Sequence, residues 1–346
     1  MSIGLSTRIL THPSDLQAIA DEWDELYGRC PKVTPFQHPQ WILAWISAFA
    51  PQNLNVVEVR SRGALVAIAP LLIYPRNGER VLAFAAGGVS DYLDVLVDPA
   101  FEDQSVAAML EAINQLEGWD VFELTDSSAN SALLRTWLEQ YAAPHDSCSS
   151  LLLPQTESEL LQLLSKRQRA NLRNAHSRLD RTGGGKIEAA TAETLPEFLN
   201  DLFCLHANRW AQRGESGVLA DEAIRRFHRQ AAPGLLGCGI LHFTRLRVEN
   251  RTAAALYTLH GQKTVFCYMQ GFDPEFAYLS PGTQLMFSAL ANGIQLGMRK
   301  FDFLRGEESY KQHWRAQAET TFRIHAPRSA LRTLHQSPVL SAVKIA

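Results

Sequence analysis

The sequence offers little to a metal or a redox centre. Its five cysteines, Cys30, Cys148, Cys204, Cys238 and Cys267, are odd in number and far apart, and no Cys-x-x-Cys pair or Cys/His cluster has the spacing of metal ligands. Most lie in apolar runs, where a thiol behaves as a small hydrophobe in a reducing compartment. Long apolar stretches are missing too. The longest, Ala64 to Tyr74, is interrupted by Pro70 and falls short of the roughly 20 residues that cross a bilayer. The N-terminal segment has neither a continuous apolar region nor a small-residue cleavage site, so it does not read as a secretion signal. No nucleophile elbow with Ser, His and Asp partners is present, and no covalent intermediate is required. A soluble, cytoplasmic protein without a metal is the expectation.

Apolar residues, by contrast, are plentiful. At 46% hydrophobic and 20% charged, the chain can build a full core, and bulk disorder is excluded. Its 346 residues are too many for one ordinary domain and suit two, expected over residues 1–154 and 155–346. The net charge of −3 argues against an all-over nucleic-acid binder but hides two opposite halves. Residues 1–154 carry 8 Lys/Arg against 19 Asp/Glu, whereas residues 155–346 carry 25 against 17. An anionic ligand belongs with the second half.

Helical spacing of Leu16, Ile19, Trp23 and Leu26 predicts a helix over 12–27, and a second over 39–50 buries Trp41 and Trp45 on one apolar side. Strand-like runs follow at 55–61, 64–74, 80–88 and 92–98. An amphipathic helix over 104–118 feeds a strand at 120–126, and a helix over 130–141 and a strand at 150–154 close the half. The second half opens on a basic helical stretch over 157–181, one helix or two, stopped by three glycines at 183–185. Helices at 195–214 and 220–230 precede strands at 239–248, 252–260 and 264–272. A helix at 283–297 and strands at 300–306 and 320–327 complete the pattern.

The two halves look alike. Each has two strands joined by a tight turn, then a third strand leading into Asp-Pro-x-Phe (Asp98 to Phe101, Asp273 to Phe276). A helix and a strand with an aromatic-Asp pair (Trp119-Asp120, Phe301-Asp302) follow in both. From Asp98 to Asp120 is 22 residues and from Asp273 to Asp302 is 29, the extra residues falling around Ala277–Gly282. A degenerate tandem duplication accounts for this, against a chance agreement of short strings. The fold class is then α/β or α+β with mixed sheets. In the second copy Ser280, Pro281 and Gly282 open a helix whose first N–H groups lack partners, an arrangement that suits a pyrophosphate. An ordinary helix start punctuated by Pro and Gly is the competing reading. The first copy has Glu102 and Asp103 there, which would repel phosphate.

The strings "TPFQHPQWILAW", "KRQRANLRNAHSRL", "LHANRWAQRGESG" and above all "SPGTQLMFSALANGIQLGMRKFDFLRGEESYKQHW" make the chain resemble the GNAT acyltransferases. The likeness is to the tandem-GNAT group with CelD-like proteins of cellulose and exopolysaccharide biosynthesis, related to FemAB-type aminoacyl transferases. It implies two GNAT-like domains with mixed sheets flanked by helices: a degenerate one over 1–154 and an acyl-CoA-binding one over 155–346. In the family the loop before the helix cradles the pyrophosphate of coenzyme A, which maps onto Ser280, Pro281, Gly282 and Thr283. The preceding strand, with Tyr268 and Gln270, would splay from its neighbour and offer backbone groups to the pantetheine arm. The family's glycine-rich loop is represented here by Gly282 alone.

Transfer from a thioester to an amine needs placement, a route for one proton, and stabilisation of the oxyanion and thiolate. Asp302 is a candidate base or a structural anchor. Tyr310 is a candidate acid to the leaving thiolate or a packing aromatic. Lys311 would hold a phosphate or the acceptor, or lie solvated; Glu307 is a nearby carboxylate for the acceptor. His206, Arg209 and Trp210 share a helix face, where a ring that stacks and a cation that pairs suit a sugar or an anionic acceptor in an interdomain cleft; core packing and a surface ion pair are the plain alternatives. The expected activity is N-acyl transfer from acetyl-CoA or another acyl-CoA to a sugar or cell-envelope precursor amine. Two other readings remain: an aminoacyl-tRNA donor gripped by the basic helix, and a non-catalytic accessory protein of polysaccharide-synthesis machinery.

Overall fold

A computed structural model describes residues 4–211, 214–306 and 308–333. It resolves into two compact units, one comprising residues 1–146 with the segment from Thr320 onward, the other residues 147–319.

The first unit begins with β1 (Leu5–Leu10), α1 (Pro13–Ala18), α2 (Ala20–Arg29) and α3 (Pro39–Phe49). The strands β2 (Leu54–Ser61), β3 (Ala64–Arg76) and β4 (Glu79–Phe84) follow as an antiparallel meander, with the two-residue β5 (Leu96–Val97) against β3. Helix α4 (Glu102–Gln115) crosses over to β6 (Val121–Ser128), which pairs parallel with β4 at Val81↔Val121. A parallel neighbour needs such a crossover, and α4 supplies it. The core gathers Trp119, Phe122, Met109 and Leu71 under α4.

The second unit repeats this plan. After β7 (Ala142–Leu152), α5 (Glu157–Leu163) and α6 (Lys166–Arg181) come the edge strand β8 (Lys186–Ala189), α7 (Leu195–Ala211) and α8 (Glu222–Gly237). The meander β9 (Leu241–Val248), β10 (Arg251–His260) and β11 (Thr264–Phe272) leads through α9 (Pro281–Gln295) to β12 (Lys300–Arg305), parallel to β11. Short α10 (Ser309–His313), β13 (Gln317–Pro327) and α11 (Arg328–Thr333) finish the chain's described part. Strand order is β1-β2-β3-β4-β6-β13 in one unit and β8-β9-β10-β11-β12-β7 in the other. The two Asp-Pro-x-Phe strings do one job, Asp98 and Asp273 each accepting the N–H two residues on (3.0 Å) to start a 3-10 turn.

The first unit takes its last strand from the far end of the chain, and the second is completed by the strand that opens it. Residues 321–327 of β13 pair with β6 in the first unit, and residues 148–152 of β7 pair with β12 in the second. The dividing point therefore lies at 146/147 rather than 154/155, and the second half gives up its final strand. Other differences are local. The first predicted helix breaks at Ile19 (φ −105°, ψ 8°) into α1 and α2. The stretch 130–141 forms 3-10 turns at Leu133–Arg135 and Trp137–Tyr141, and of 92–98 only Leu96–Val97 is strand. The basic stretch is two helices: Leu164 is extended, and Ser165 with Gln168 makes a reciprocal capping box that starts α6. Trp41 and Trp45 are buried as expected, and of the cysteines Cys30, Cys148 and Cys267 are buried while Cys204 and Cys238 are exposed.

Candidate active site

Strands β11 and β12 run side by side for only three residues, Thr264↔Lys300 to Phe266↔Asp302, and then part. The splay expected of this strand is thus present, and its cause is local. The ladder of β11 with β10 shifts register beyond Tyr257↔Met269, leaving Tyr268 as the extra residue of a bulge. On the other side, Leu304 sits at φ +60°, and Asp302 Oδ1 accepts its N–H at 2.8 Å. The pairing of β12 with β7 shifts register between Asp302 and Arg305. The ends of two parallel strands thus diverge, the place where open α/β sheets bind ligands.

Lys311 closes the back of this opening. It is 2% exposed, and its Nζ donates to the carbonyls of Leu304 (2.9 Å), Arg305 (2.5 Å) and Gly306 (2.9 Å) while pairing with Glu308 Oε2 at 2.9 Å. An ammonium has three N–H donors, so none is left for a phosphate or an acceptor. The sequence expectation for Lys311 is corrected to that of a positioning residue. Asp302 is likewise engaged: 1% exposed, it accepts the Leu304 N–H and lies 3.5 Å from Lys300 Nζ.

Tyr310 lies in the short helix α10. Its ring meets Phe303 edge-on (6.3 Å), and its hydroxyl is hydrogen-bonded to Gln270 on the parted segment of β11. Burial pushes the phenol well above its ordinary range, Cys267 and Glu308 add to this, and Arg209 and the Gln270 bond oppose it. The hydroxyl is therefore a neutral hydrogen-bond donor rather than a ready proton source. Cys267 itself is pushed up to about 12 by burial, with the Lys311 charge opposing, and stays a thiol. The ring of half-buried Tyr268 joins an aromatic cluster with His228 (5.6 Å) and Tyr257 (5.5 Å), while its backbone lies at the bulge where β11 leaves its ladder.

Helix α7 brings the acceptor candidates alongside. Gly271 makes this approach possible, because a Cβ there would lie 2.9 Å from Leu205 Cβ. In the last turns of α7, the His206 and Trp210 rings are 5.8 Å apart, and both pack against Gly217, whose Cβ would come within 2.5 Å of each. Gly217 sits at φ +66°, a conformation a side chain resists. His206 is 8% exposed and held neutral, its pKa lowered to about 4 by burial and then by Arg209. Among the described residues its Nδ1 has no hydrogen-bond partner. Glu307 lies outside the described residues.

The helix start read from the sequence at Ser280, Pro281 and Gly282 is present as the first turn of α9. Ser280 is left-handed (φ 50°, ψ 50°), makes no side-chain cap, and its carbonyl accepts from Thr283 and Gln284 (3.1 and 3.2 Å). A Cβ on Gly282 would meet nothing within 4 Å, so space for a ligand lies directly over the first turn. Helix α6 packs beside it through Gln284 Nε2, which donates to Leu279 O (2.8 Å) and Ala175 O (3.4 Å). Among the described residues, no carboxylate pairs with Lys166, Arg167, Arg173 or Arg178 of α6. Arg169 is different: it caps α5 through the Leu161 and Leu164 carbonyls (3.2 and 2.6 Å). The roles of Gln284, Gly271 and Gly217 escaped the sequence reading. A polar residue in an apolar helix and a glycine inside a strand were the available signals.

Residues 166–312 match the family model described as an acetyltransferase (GNAT) domain. No curated protein matches the chain. Among solved structures, FemX is similar at 11% identity, covering 96% of this chain and 100% of its own with a TM-score of 0.66. The C-terminal domain of a putative lysylphosphatidylglycerol synthetase from Agrobacterium fabrum follows at 13% identity, 94% and 96% coverage and 0.54. The L-PGS structure from Bacillus licheniformis is similar at 14% identity, 92% and 92% coverage and 0.55. At these identities the likeness is one of fold. Among the described residues no group of side chains could hold a metal, and no helix is long and apolar enough to cross a membrane.

Proposed function

With residues 166–312 forming a GNAT domain as the premise, we propose that the second unit is an N-acyltransferase that takes its acyl group from acyl-CoA. The observation that carries this is the open, uncapped start of α9 beside basic α6, in the same unit as the parting of β11 from β12. Backbone N–H groups at a helix start favour a pyrophosphate, and unpaired arginines nearby favour a further phosphate. The edge that β11 no longer shares with β12 would bind the amide-bearing arm as a strand binds its neighbour.

The acceptor amine, on a sugar or sugar-linked precursor as the resemblance implies, enters in its neutral form beside α7. Its nitrogen attacks the thioester carbonyl, the C–N bond forms, the C–S bond breaks, and the nitrogen's proton leaves through water. Tyr310 donates a hydrogen bond to the departing sulfur, which needs no deprotonation of the phenol. Gln270 holds that hydroxyl in place, and Lys311 with Asp302 holds the β12 end open.

The test is the thermal midpoint with and without acetyl-CoA, in the native chain and in Gly282→Glu. The substitution is sterically free and sets a carboxylate where phosphate would lie. Ligand at 100 times its Kd stabilises by about 2.7 kcal/mol, several degrees for a unit of this size. A shift in the native chain that Gly282→Glu abolishes supports the reading; no shift with acetyl-, longer acyl- or free coenzyme A overturns it. The unpaired charges of α6 favour a second reading, an aminoacyl-tRNA donor. That donor predicts tRNA binding at low salt, lost in Arg167→Glu/Arg173→Glu, with Arg169 left intact because it caps α5.

A further inference from the structure

We infer that the first unit carries a site for a neutral saccharide chain, in a groove on its sheet just past the end of α4. The inference stands apart from the acyl-transfer reading, which concerns the second unit.

The groove is open and measures about 620 Å³, within the roughly 300–1,000 Å³ of small-molecule sites. Its floor continues the face of the sheet that α4 covers. On that face Val57 of β2 and Leu71 of β3 lie in the core, with Ile9 of β1 packed against it. Side chains alternate along a strand, so the same face next carries Asn55 on β2, Ile73 on β3 and Thr11 just past β1. Helix α4 has ended there, and Glu117 and Gly118, which follow it, border the groove. Apolar burial stops at this row and polar groups take over. Thr11, His12, Gln52, Asn53 and Asn55 all line the groove. Asn55 Nδ2 donates to Asn53 O (3.0 Å), which leaves its Oδ1. Among the described residues, no hydrogen bond engages the side chains of Gln52 or Asn53.

The second unit shows that the fold does not require such a groove. The bond from Ile73 N to Asn53 O (2.9 Å) has its counterpart in the bond from His260 N to Ile240 O (2.7 Å). Ile240 therefore stands where the first unit has Asn53, His242 where it has Asn55, and His260 where it has Ile73. Ile240 and His260 are each 7% exposed, and the rings of His242 and His260 stack 3.7 Å apart. One unit closes this row with its own side chains. The other leaves it open and lines it with amides.

Charge narrows the class of ligand. Arg80 lies in the lining, but its Nε and Nη2 are taken by the two oxygens of Asp120 (3.0 and 2.8 Å). It has no two-pronged grip left for a phosphate, and Glu117 would repel one. Hydroxyl and amide groups each donate and accept, and a row of them matches a ligand that does the same, a chain of sugar hydroxyls.

The plain alternative is a groove that holds water and nothing else. Saturation-transfer NMR on the full chain separates the two, with cellotriose, maltotriose and triacetylchitotriose as probes at low and high salt. Gln52→Met/Asn53→Leu keeps the shape of two exposed side chains and removes their hydrogen bonding. Thr11→Trp fills the floor. At least one trisaccharide should bind, equally at both salt concentrations because it is uncharged. Each hydrogen bond lost should weaken binding by about 2- to 10-fold. The double variant should therefore show a clear loss and Thr11→Trp none of the binding, with melting and any acetyl-CoA shift unchanged. No binding by any of the three sugars overturns the inference. So does binding that survives in both variants, or that Gly282→Glu abolishes, since either places the sugar elsewhere. Sugar binding lost in these variants without any coenzyme A shift would leave the inference standing while the acyl-CoA reading fell.

Discussion

Replacing Lys311 by Met tests the claim that this lysine holds the strand end rather than a ligand. Met keeps most of the buried stem, so the change isolates the ammonium. Three carbonyls and one carboxylate lose their partner. The losses are unequal. Glu308 is 48% exposed, and Arg305 and Gly306 are half-buried, so water replaces much of what they lose. Leu304 is buried at 2% and its carbonyl is left without water or donor. An orphaned buried carbonyl costs about 1–3 kcal/mol. With a remainder from the two neighbouring carbonyls, we expect a loss of about 2–3 kcal/mol, or roughly 4–12 °C in the midpoint of the second unit. Differential scanning calorimetry resolves this, and coenzyme A titration of the same variant at a temperature where it is folded shows whether binding survives. An unchanged midpoint with lost binding would refute the argument and return Lys311 to the role of a ligand.

Tyr310→Phe should lower kcat by about 10²-fold, as removal of one preorganised donor does, with coenzyme A affinity unchanged; a loss of affinity instead would make the hydroxyl a binding group. In the first unit, burial alone would raise the Glu123 carboxyl, but hydrogen bonds from Arg76, Arg323 and His325 outweigh it and hold it at about 2. A depressed carboxyl contributes stability above its unfolded value, and that share is lost as pH falls through the folded one. Acid unfolding of the first unit should therefore steepen between about pH 4.5 and 2. In Glu123→Gln that dependence should flatten, with a cost of about 2–3 kcal/mol at neutral pH, read by urea unfolding at both pH values.

Much of this protein could be read along the chain because much of it is local. The meander strands, α4 and α9 follow from hydrophobic period and turn residues. The start of α9 was visible in Ser280-Pro281-Gly282 because a helix terminus is a short-range feature. The capping box that splits the basic stretch at Ser165 is equally short-range, and Gln168 three residues on was its signal. Helical spacing misled at 130–141, where the residues adopt 3-10 turns instead.

Tertiary structure alone decided the rest. Which strand completes which unit cannot be found by periodicity: β7 and β13 are ordinary strands, and their partners lie about 150 and 200 residues away. Side-chain duty was equally hidden. Asp302, Tyr310 and Lys311 lie within ten residues and have the same look of catalytic groups. Folding assigns Asp302 to a turn and Lys311 to three carbonyls, leaving Tyr310 facing Gln270 across the opening. Sequence determines which groups a segment can offer. Only packing determines which of their hydrogen-bonding positions are already filled, and a group whose positions are filled has nothing left for a substrate.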